Sequence, residues 1–296
     1  MELRQIRYFV TVAGTLSFSE AARRLYITQG TLSQQIRQLE DELGTPLFIR
    51  NSHTVELTEE GVALLPLARR TLDAAQACSD SVKDHRKMLC GTLNIGVTYS
   101  FTEIVAVAVK NFLKEYPGVN MKVYCKTAEE LYDMLKDRQI DMMMAFKPAQ
   151  EHLDVESSRL FEYSLRAIMR KSHPLAGRSE VTLDDLSRQW MALPAAGLQA
   201  RAALDKQICI DTTRLNLRVE INDPNLILDL IQSTDMISIL SSQTIQYRPG
   251  LVAIPIKDID YRMQGCVHFL KEGYRKRSAD VFIDMLKEEA TLMNLI

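Results

Sequence analysis

The sequence predicts three parts in chain order: an N-terminal winged helix-turn-helix, a long linker helix, and an α/β domain of two lobes. Three observations predict this. Residues 2–57 hold three short amphipathic segments followed by two short apolar runs around a turn. Residues 58–86 repeat apolar positions at steps of three and four. From residue 93 onward, strand-like and helix-like segments alternate in two blocks of similar size.

The first part opens with Leu3, Ile6, Val10 and Ala13 on one helical face. Ser17 and Glu20 then form a capping box for a short helix, whose Ala21, Ala22 and Leu25 face inward. Thr28 caps the third helix, "TQGTLSQQIRQLEDEL", whose apolar stripe is Leu32, Ile36, Leu39 and Leu43. Leu47–Ile49 and Val55–Leu57 flank Asn51-Ser52 and read as a β-hairpin, a wing beside that helix.

Thr58 caps the linker helix, and Pro66 is expected to kink it. Leu65, Ala68, Leu72, Ala75, Ser79 and Val82 form its seam. The seam serves either packing on its own domain or a homodimer. No neighbouring segment offers a second apolar surface, which favours the homodimer. After a hinge come strands at 93–97, 119–125 and 140–146, separated by helices, then two strands within 155–171. The alternation resumes from 190 to 240. A last strand (265–271) and helix (278–295) return to the first block. The parts divide as 1–58, winged helix-turn-helix; 59–87, linker; 88–92, hinge; 93–161 with 266–296, first lobe; and 162–265, second lobe. Such lobes leave a cleft at the carboxyl ends of parallel strands, where ligands bind.

The 296 residues suffice for two or three cores, and 46% apolar with 25% charged residues is ordinary globular composition. No run of the roughly eighteen apolar residues of a membrane span occurs. "MELRQIRYFV" lacks a basic-then-apolar leader, so a cytoplasmic protein is expected. Five scattered cysteines without C-x-x-C fit a reducing compartment and buried thiols. No ligand-spaced histidines point to a metal, and no cofactor is expected. G-x-S-x-G, P-loop, H-E-x-x-H and glycine-rich dinucleotide turns are all missing, so catalysis is not expected.

The polar side of the third helix is rich in amides and hydroxyls, whereas solvated helix faces are usually rich in Lys and Glu. Gln29, Gly30, Thr31, Ser33 and Gln34 occupy its first turns, where a recognition helix meets base edges in the major groove of double-stranded DNA. Arg37, the wing residue Arg50, and Arg23 or Arg24 would hold phosphates. Residues 1–57 balance six Lys/Arg against six Asp/Glu. Non-specific affinity should therefore be weak, and several copies of the domain should act together.

The stretch "FSEAARRLYITQGTLSQQIRQLEDELGTPLFIRNSHTVELTEEG" resembles the winged helix-turn-helix of LysR-type transcriptional regulators. The matching residues are Ala21-Ala22, Gln29, Leu32-Ser33, Gln35-Ile36, Leu39-Glu40, Leu43-Gly44, Leu47-Phe48, Arg50, Leu57-Thr58 and Gly61. "FTEIVAVAVKNFLKEYPGVNMKVY" and "DMMMAFKP" are similar to the branch with cyanate- and aromatic-responsive members. The resemblance implies a bacterial regulator with a periplasmic-binding-protein-like effector domain. It implies a homodimer through the linker helix, assembled into a homotetramer on an interrupted inverted repeat. A small-molecule coinducer and RNA polymerase are the further partners. The chain departs from the family in carrying Gly30 where many members have Pro, and His53 where many have a second wing Arg.

The resemblance places coinducer contacts at helix N-termini facing the cleft. On this chain these are Thr98, Ser100, Phe101, Thr102 and Thr127, with Phe146, Lys147 and Pro148 ending a strand nearby. Across the cleft they are Leu198, Gln199 and Asn222. Free N–H groups and the helix dipole there suit an anion such as a small carboxylate. "SFTE" and "TAEE" also read as capping boxes, so these hydroxyls could simply satisfy their helices. Two alternatives stand beside a ligand-switched regulator. One is a regulator needing no ligand, its cleft filled by Phe101, Phe146 and Leu198. The other is a solute-binding protein with no regulatory role.

Overall fold

The computed structural model describes residues 1–51, 54–84, 90–148, 150, 152–207, 215–257 and 262–292, with backbone alone at 80–84 and 206–207. His53, Cys209 and the side chain of Val82 lie outside the described residues. The chain forms two compact units, residues 1–88 and 89–296.

In the first unit, α1 (Leu3–Thr15), α2 (Phe18–Arg24) and α3 (Gln29–Leu43) precede the antiparallel hairpin of β1 (Phe48–Arg50) and β2 (Val55–Leu57), then α4 (Glu59–Asp84). Their core joins Ile6, Phe9 and Val12 of α1, Ala21 and Ala22 of α2, Leu32, Ile36 and Leu39 of α3, and Leu47, Phe48 and Ala68. The register of α1 differs from the expected stripe. Tyr8, Phe9 and Val12 are buried and Leu3 is exposed, because α1 packs on α2, α3 and α4 at once and needs a wide apolar face. Leu43 is also exposed, one step short of the Gly44 cap in left-handed conformation.

The linker seam is corrected here. Ala68 is buried, and Leu64, Leu65 and Leu72 pack against this same core. The second apolar surface is α1, which lies too far back in sequence for spacing to reveal. The opposite side of α4 carries Val62, Ala63, Pro66, Leu67 and Ala74, all exposed. The helix continues through Pro66 as one 26-residue element.

The second unit is built on a seven-stranded sheet. β3 (Gly91–Val97) lies between β4 (Val119–Cys125) and β5 (Met142–Phe146), all parallel. α5 (Thr102–Glu115) and α6 (Ala128–Lys136) supply the crossovers. The two strands expected within 155–171 are one strand, β6, running from Val155 to Arg170. A further group is α7 (Leu183–Ser187), β7 (Met191–Pro194), α8 (Gln199–Ala202), β8 (Leu217–Ile221), α9 (Pro224–Ser233) and β9 (Ser238–Ser241). β7 and β8 are parallel, while β9 and β10 (Leu251–Ile254) pair with the far half of β6. β11 (Arg262–Leu270) then enters antiparallel between β5 and β6, and α10 (Arg277–Leu292) packs on α5.

The register of β11 on β6 shifts between Gly265, opposite Phe161, and Cys266, opposite Arg159. Leu160 is the extra residue of this bulge. It lets Leu160 and Phe161 both enter the α5-side core. A Cβ on Gly265 would lie 2.3 Å from the Phe161 ring, which is itself packed on Phe101 and Tyr163. Gly265→Ala should therefore destabilise this unit by about 1–3 kcal/mol, the usual range for overpacking. Urea denaturation followed by the fluorescence of Trp190, the single tryptophan, reads the loss.

Candidate functional site

The recognition surface begins with a polar helix start. Thr28 accepts the Thr31 N–H at 3.2 Å, while Gly30, Thr31, Gln34, Arg37 and Gln38 stand exposed. Gly30 is the second helical residue, and a Cβ there would meet only the Thr28 hydroxyl at 3.9 Å. Gln29 accepts a hydrogen bond from Ser19 of α2 at 2.8 Å, which fixes the turn between the two helices. Tyr26, in that turn, has φ 57 and is 96% exposed. L-residues other than Gly, Asn and Asp rarely adopt that backbone.

Several expected phosphate contacts are committed elsewhere. Arg50 bridges to Glu40 at 2.6 Å, donates to Ser33 at 3.4 Å and lies over the Phe18 ring. Glu40 also accepts the Leu47 N–H at 2.9 Å, with its side chain only 13% exposed. Arg50 thus fastens the wing to α3 and α2. Glu40, in the second half of α3, is its anchor. The Ser17–Glu20 box is half formed. Ser17 caps α2, but the Glu20 carboxylate takes Arg23 and Arg24 instead. The Arg24 guanidinium, then Arg23, holds Glu20 below the usual carboxylate range. These pairs are solvent-exposed, so a competing phosphate would displace them at little cost.

In the second unit, one pocket brings both sides of the cleft together. Thr98, Tyr99, Ser100 and Thr127 line it from one lobe, and Pro194, Gly197, Leu198, Gln199 and Pro224 from the other, around about 420 Å³. Thr98 is buried, and its hydroxyl has no hydrogen-bond partner among the described residues. The Gln199 amide closes a two-way bond with the main chain at the end of β5. It accepts the Phe146 N–H at 3.1 Å and donates to the Phe146 carbonyl at 2.9 Å.

Six expected cleft residues lie elsewhere. Phe101 and Phe146 are buried, their rings 5.0 Å apart in the aromatic core with Phe161 and Tyr163, because both side chains point beneath the sheet edge. They do not fill the cleft. The Thr102 hydroxyl donates to the Tyr99 carbonyl, and Asn222 is exposed beside the pocket without lining it. Lys147 and Pro148 turn away into a separate pocket. Leu240 and Thr244, which do line the cleft, had no spacing signal, since β9 reaches it only through its pairing with β6.

Of the two expected capping boxes, only Thr127–Glu130 forms. Lys126, then the Thr127 N–H and hydroxyl, lowers Glu130 to about 2. A 3-10 turn, Tyr99–Phe101, precedes α5, so its cap is Phe101 and no side chain caps it. Glu103 is left half-buried, with one oxygen that has no partner among the described residues. The thiols differ from expectation as well. Cys78, Cys90 and Cys125 are exposed and Cys266 is buried. Among the described residues no cluster of His, Cys, Asp or Glu has the makings of a metal site, and no helix is long and apolar enough to cross a membrane.

An open polar helix face on a helix-turn-helix, and a two-lobed domain with a pocket between its lobes, define a ligand-binding transcriptional regulator. Residues 3–62 match the family model for "bacterial regulatory helix-turn-helix protein, lysR family", and residues 86–291 match "LysR substrate binding domain". The chain belongs to the LysR family of DNA-binding transcriptional regulators. It is 26% identical over 239 residues to the HTH-type transcriptional activator CmpR of Synechocystis sp., covering 81% of this chain and 78% of that one. A full-length OxyR variant from Pseudomonas aeruginosa shares its fold with TM-score 0.76 and 23% identity, over 97% of this chain and 95% of that one. Full-length CbnR complexed with its target DNA gives TM-score 0.69 and 22% identity, over 98% and 100%. The family and its named relatives are regulators rather than enzymes. LysR regulators bind DNA and oligomerise, and they take small-molecule coinducers in the substrate domain that this chain carries at residues 86–291.

Burial raises the Glu103 carboxyl above its ordinary pKa, opposed by Arg248. A group raised in the folded state stabilises most below its unfolded pKa, and that stability is lost as pH rises through the folded value. Glu103→Gln should therefore raise the melting temperature at pH 7 and leave it unchanged below about pH 4. Thermal unfolding across that range checks it.

Proposed function

We propose that a homodimer of this chain places two α3 helices in successive major grooves of an interrupted inverted repeat. Gln34 and Thr31 read base edges, with Arg37 on phosphate. The supporting observation is that Gln34 and Arg37 are exposed and make no side-chain hydrogen bond among the described residues, while Gln29, Ser33 and Arg50 are held by internal contacts. The dimer seam is the outer side of α4, centred on Leu67, which is 55% exposed on the face away from the core. Two dimers form the tetramer, working in the cytoplasm where DNA and RNA polymerase are met.

The coinducer is a small monoanion, held by Thr98 and Ser100 at the start of α5. The unpartnered Thr98 hydroxyl and the uncapped helix N-terminus support this. Lys126 is paired with Glu130 and Lys147 lies outside the pocket, so among the described lining residues no second positive charge is provided for. The ligand switches the regulator by favouring one spacing of the lobes over another, since equal affinity for both would shift nothing.

Two substitutions test the DNA reading. In selection from a random duplex pool, wild type should enrich an inverted repeat. Gln34→Ala should lose preference at one position per half-site, about 1–3 kcal/mol for a bidentate pair. Identical selection and affinity would remove Gln34 from readout. Leu67→Asp should sediment as monomer or break half-site cooperativity with the N-terminal unit still folded, whereas Leu72→Asp should unfold that unit. An intact dimer with Leu67→Asp would place the seam elsewhere.

A further inference from the structure

The pocket that receives Lys147 is the roomier of the two, about 850 Å³ against about 420 Å³ for the cleft, and they share no lining residue. It lies on the α6 side of the first lobe, among β5, β6 and β11. Among the described residues Lys147, Arg159 and Lys271 line it, with the ring of His152, against the carboxylate of Glu156. That acid is itself 3.6 Å from Arg275. Such a concentration of cations is unexpected on a chain of net charge −2. The β6 bulge produces it: after Leu160 is taken into the core, Arg159 and Ser157 face the other side.

The floor is neutral and rigid. Tyr132 and Ser157 surround the buried His268, which bonds the Ser157 hydroxyl at 2.8 Å and the Ala145 carbonyl at 3.3 Å. Burial lowers His268 to about 4, so it stays uncharged at neutral pH. The His152 ring packs on Tyr132 with centroids 4.1 Å apart. Lys147 and Arg159 line the pocket together with the Cys266 thiol. Burial raises that thiol, so Cys266 is a lining group and not a reactive thiolate. Arg159, its side chain 61% exposed, pairs with Glu162 at 3.1 Å and can turn to a guest.

We propose that this pocket is a second ligand site, separate from the coinducer cleft, for a small polyanion bearing phosphate or several carboxylates. Lys147, Arg159 and Lys271 bind its charges, and Tyr132, Ser157 and Gln264 its hydroxyl or carbonyl groups. The site also has a mechanical connection to the cleft. The Lys147 N–H donates to the carbonyl of Gln264, a lining residue here, at 2.8 Å. The adjoining Phe146 peptide is gripped by Gln199, a lining residue of the cleft. A polyanion drawing on Lys147 therefore pulls on the strand end that the other lobe holds.

Calorimetric titration of the full-length protein with inorganic pyrophosphate, citrate and acetate tests this independently of the cleft reading. Pyrophosphate or citrate should bind once per chain, and acetate should not compete. The stronger of the two identifies phosphate or polycarboxylate as the natural chemistry. The double variant Arg159→Ala, Lys271→Ala removes two exposed side chains, so its melting temperature should hold. It should weaken binding about tenfold or more, as expected for two charge-assisted contacts. Thr98→Val should bind like wild type. Absence of binding by both polyanions, equal binding by the double variant, or loss in Thr98→Val would each overturn the proposal.

Discussion

One strand, β6, ties the effector domain together. Its first half pairs with β11 inside the first lobe, and its second half carries β9 and β10 of the other. A strand that spans both lobes makes their relative placement a property of a single hydrogen-bonded ladder. The bulge at Leu160 bends and re-phases that ladder within the first lobe. It sets Phe161 tight against Gly265 and hands Arg159 to the opposite face. Core packing and pocket lining therefore share one cause, an extra residue in one strand.

The N-terminal unit solves a related problem with charge. Its helices share one apolar core, but the three-residue strands of the wing cannot hold a position by their own ladder. The Glu40–Arg50 pair supplies what is missing. One carboxylate takes two wing N–H groups and the guanidinium, and the guanidinium also covers Phe18. The residual polar face of α3 is then free because its neighbours are occupied.

Features written in local spacing were legible before any coordinates. These include the Thr28 cap, the hairpin, the α3 stripe over Leu32, Ile36 and Leu39, and the alternation of strands and helices. So were Thr98, Ser100, Thr127, Leu198 and Gln199, which fall at strand ends and helix starts facing one pocket. What was not legible depends on partners distant in sequence. Leu72 turns inward because α1 waits there, Arg50 because Glu40 does, and Lys147 leaves the cleft because β11 draws the strand end aside. The missing capping box at Ser100 has a different origin. Periodicity cannot distinguish a 3-10 turn from the first turn of α5, and that one-turn shift moves Glu103 from cap to interior.

The Gln199 amide has a wider consequence. It offers one donor and one acceptor to a main-chain N–H and C=O, groups that every residue except proline possesses. Neither bond uses the side chain of residue 146, whereas changes at 199 remove both together. The same amide lines the cleft, so the catch between the lobes sits at the wall of the pocket itself.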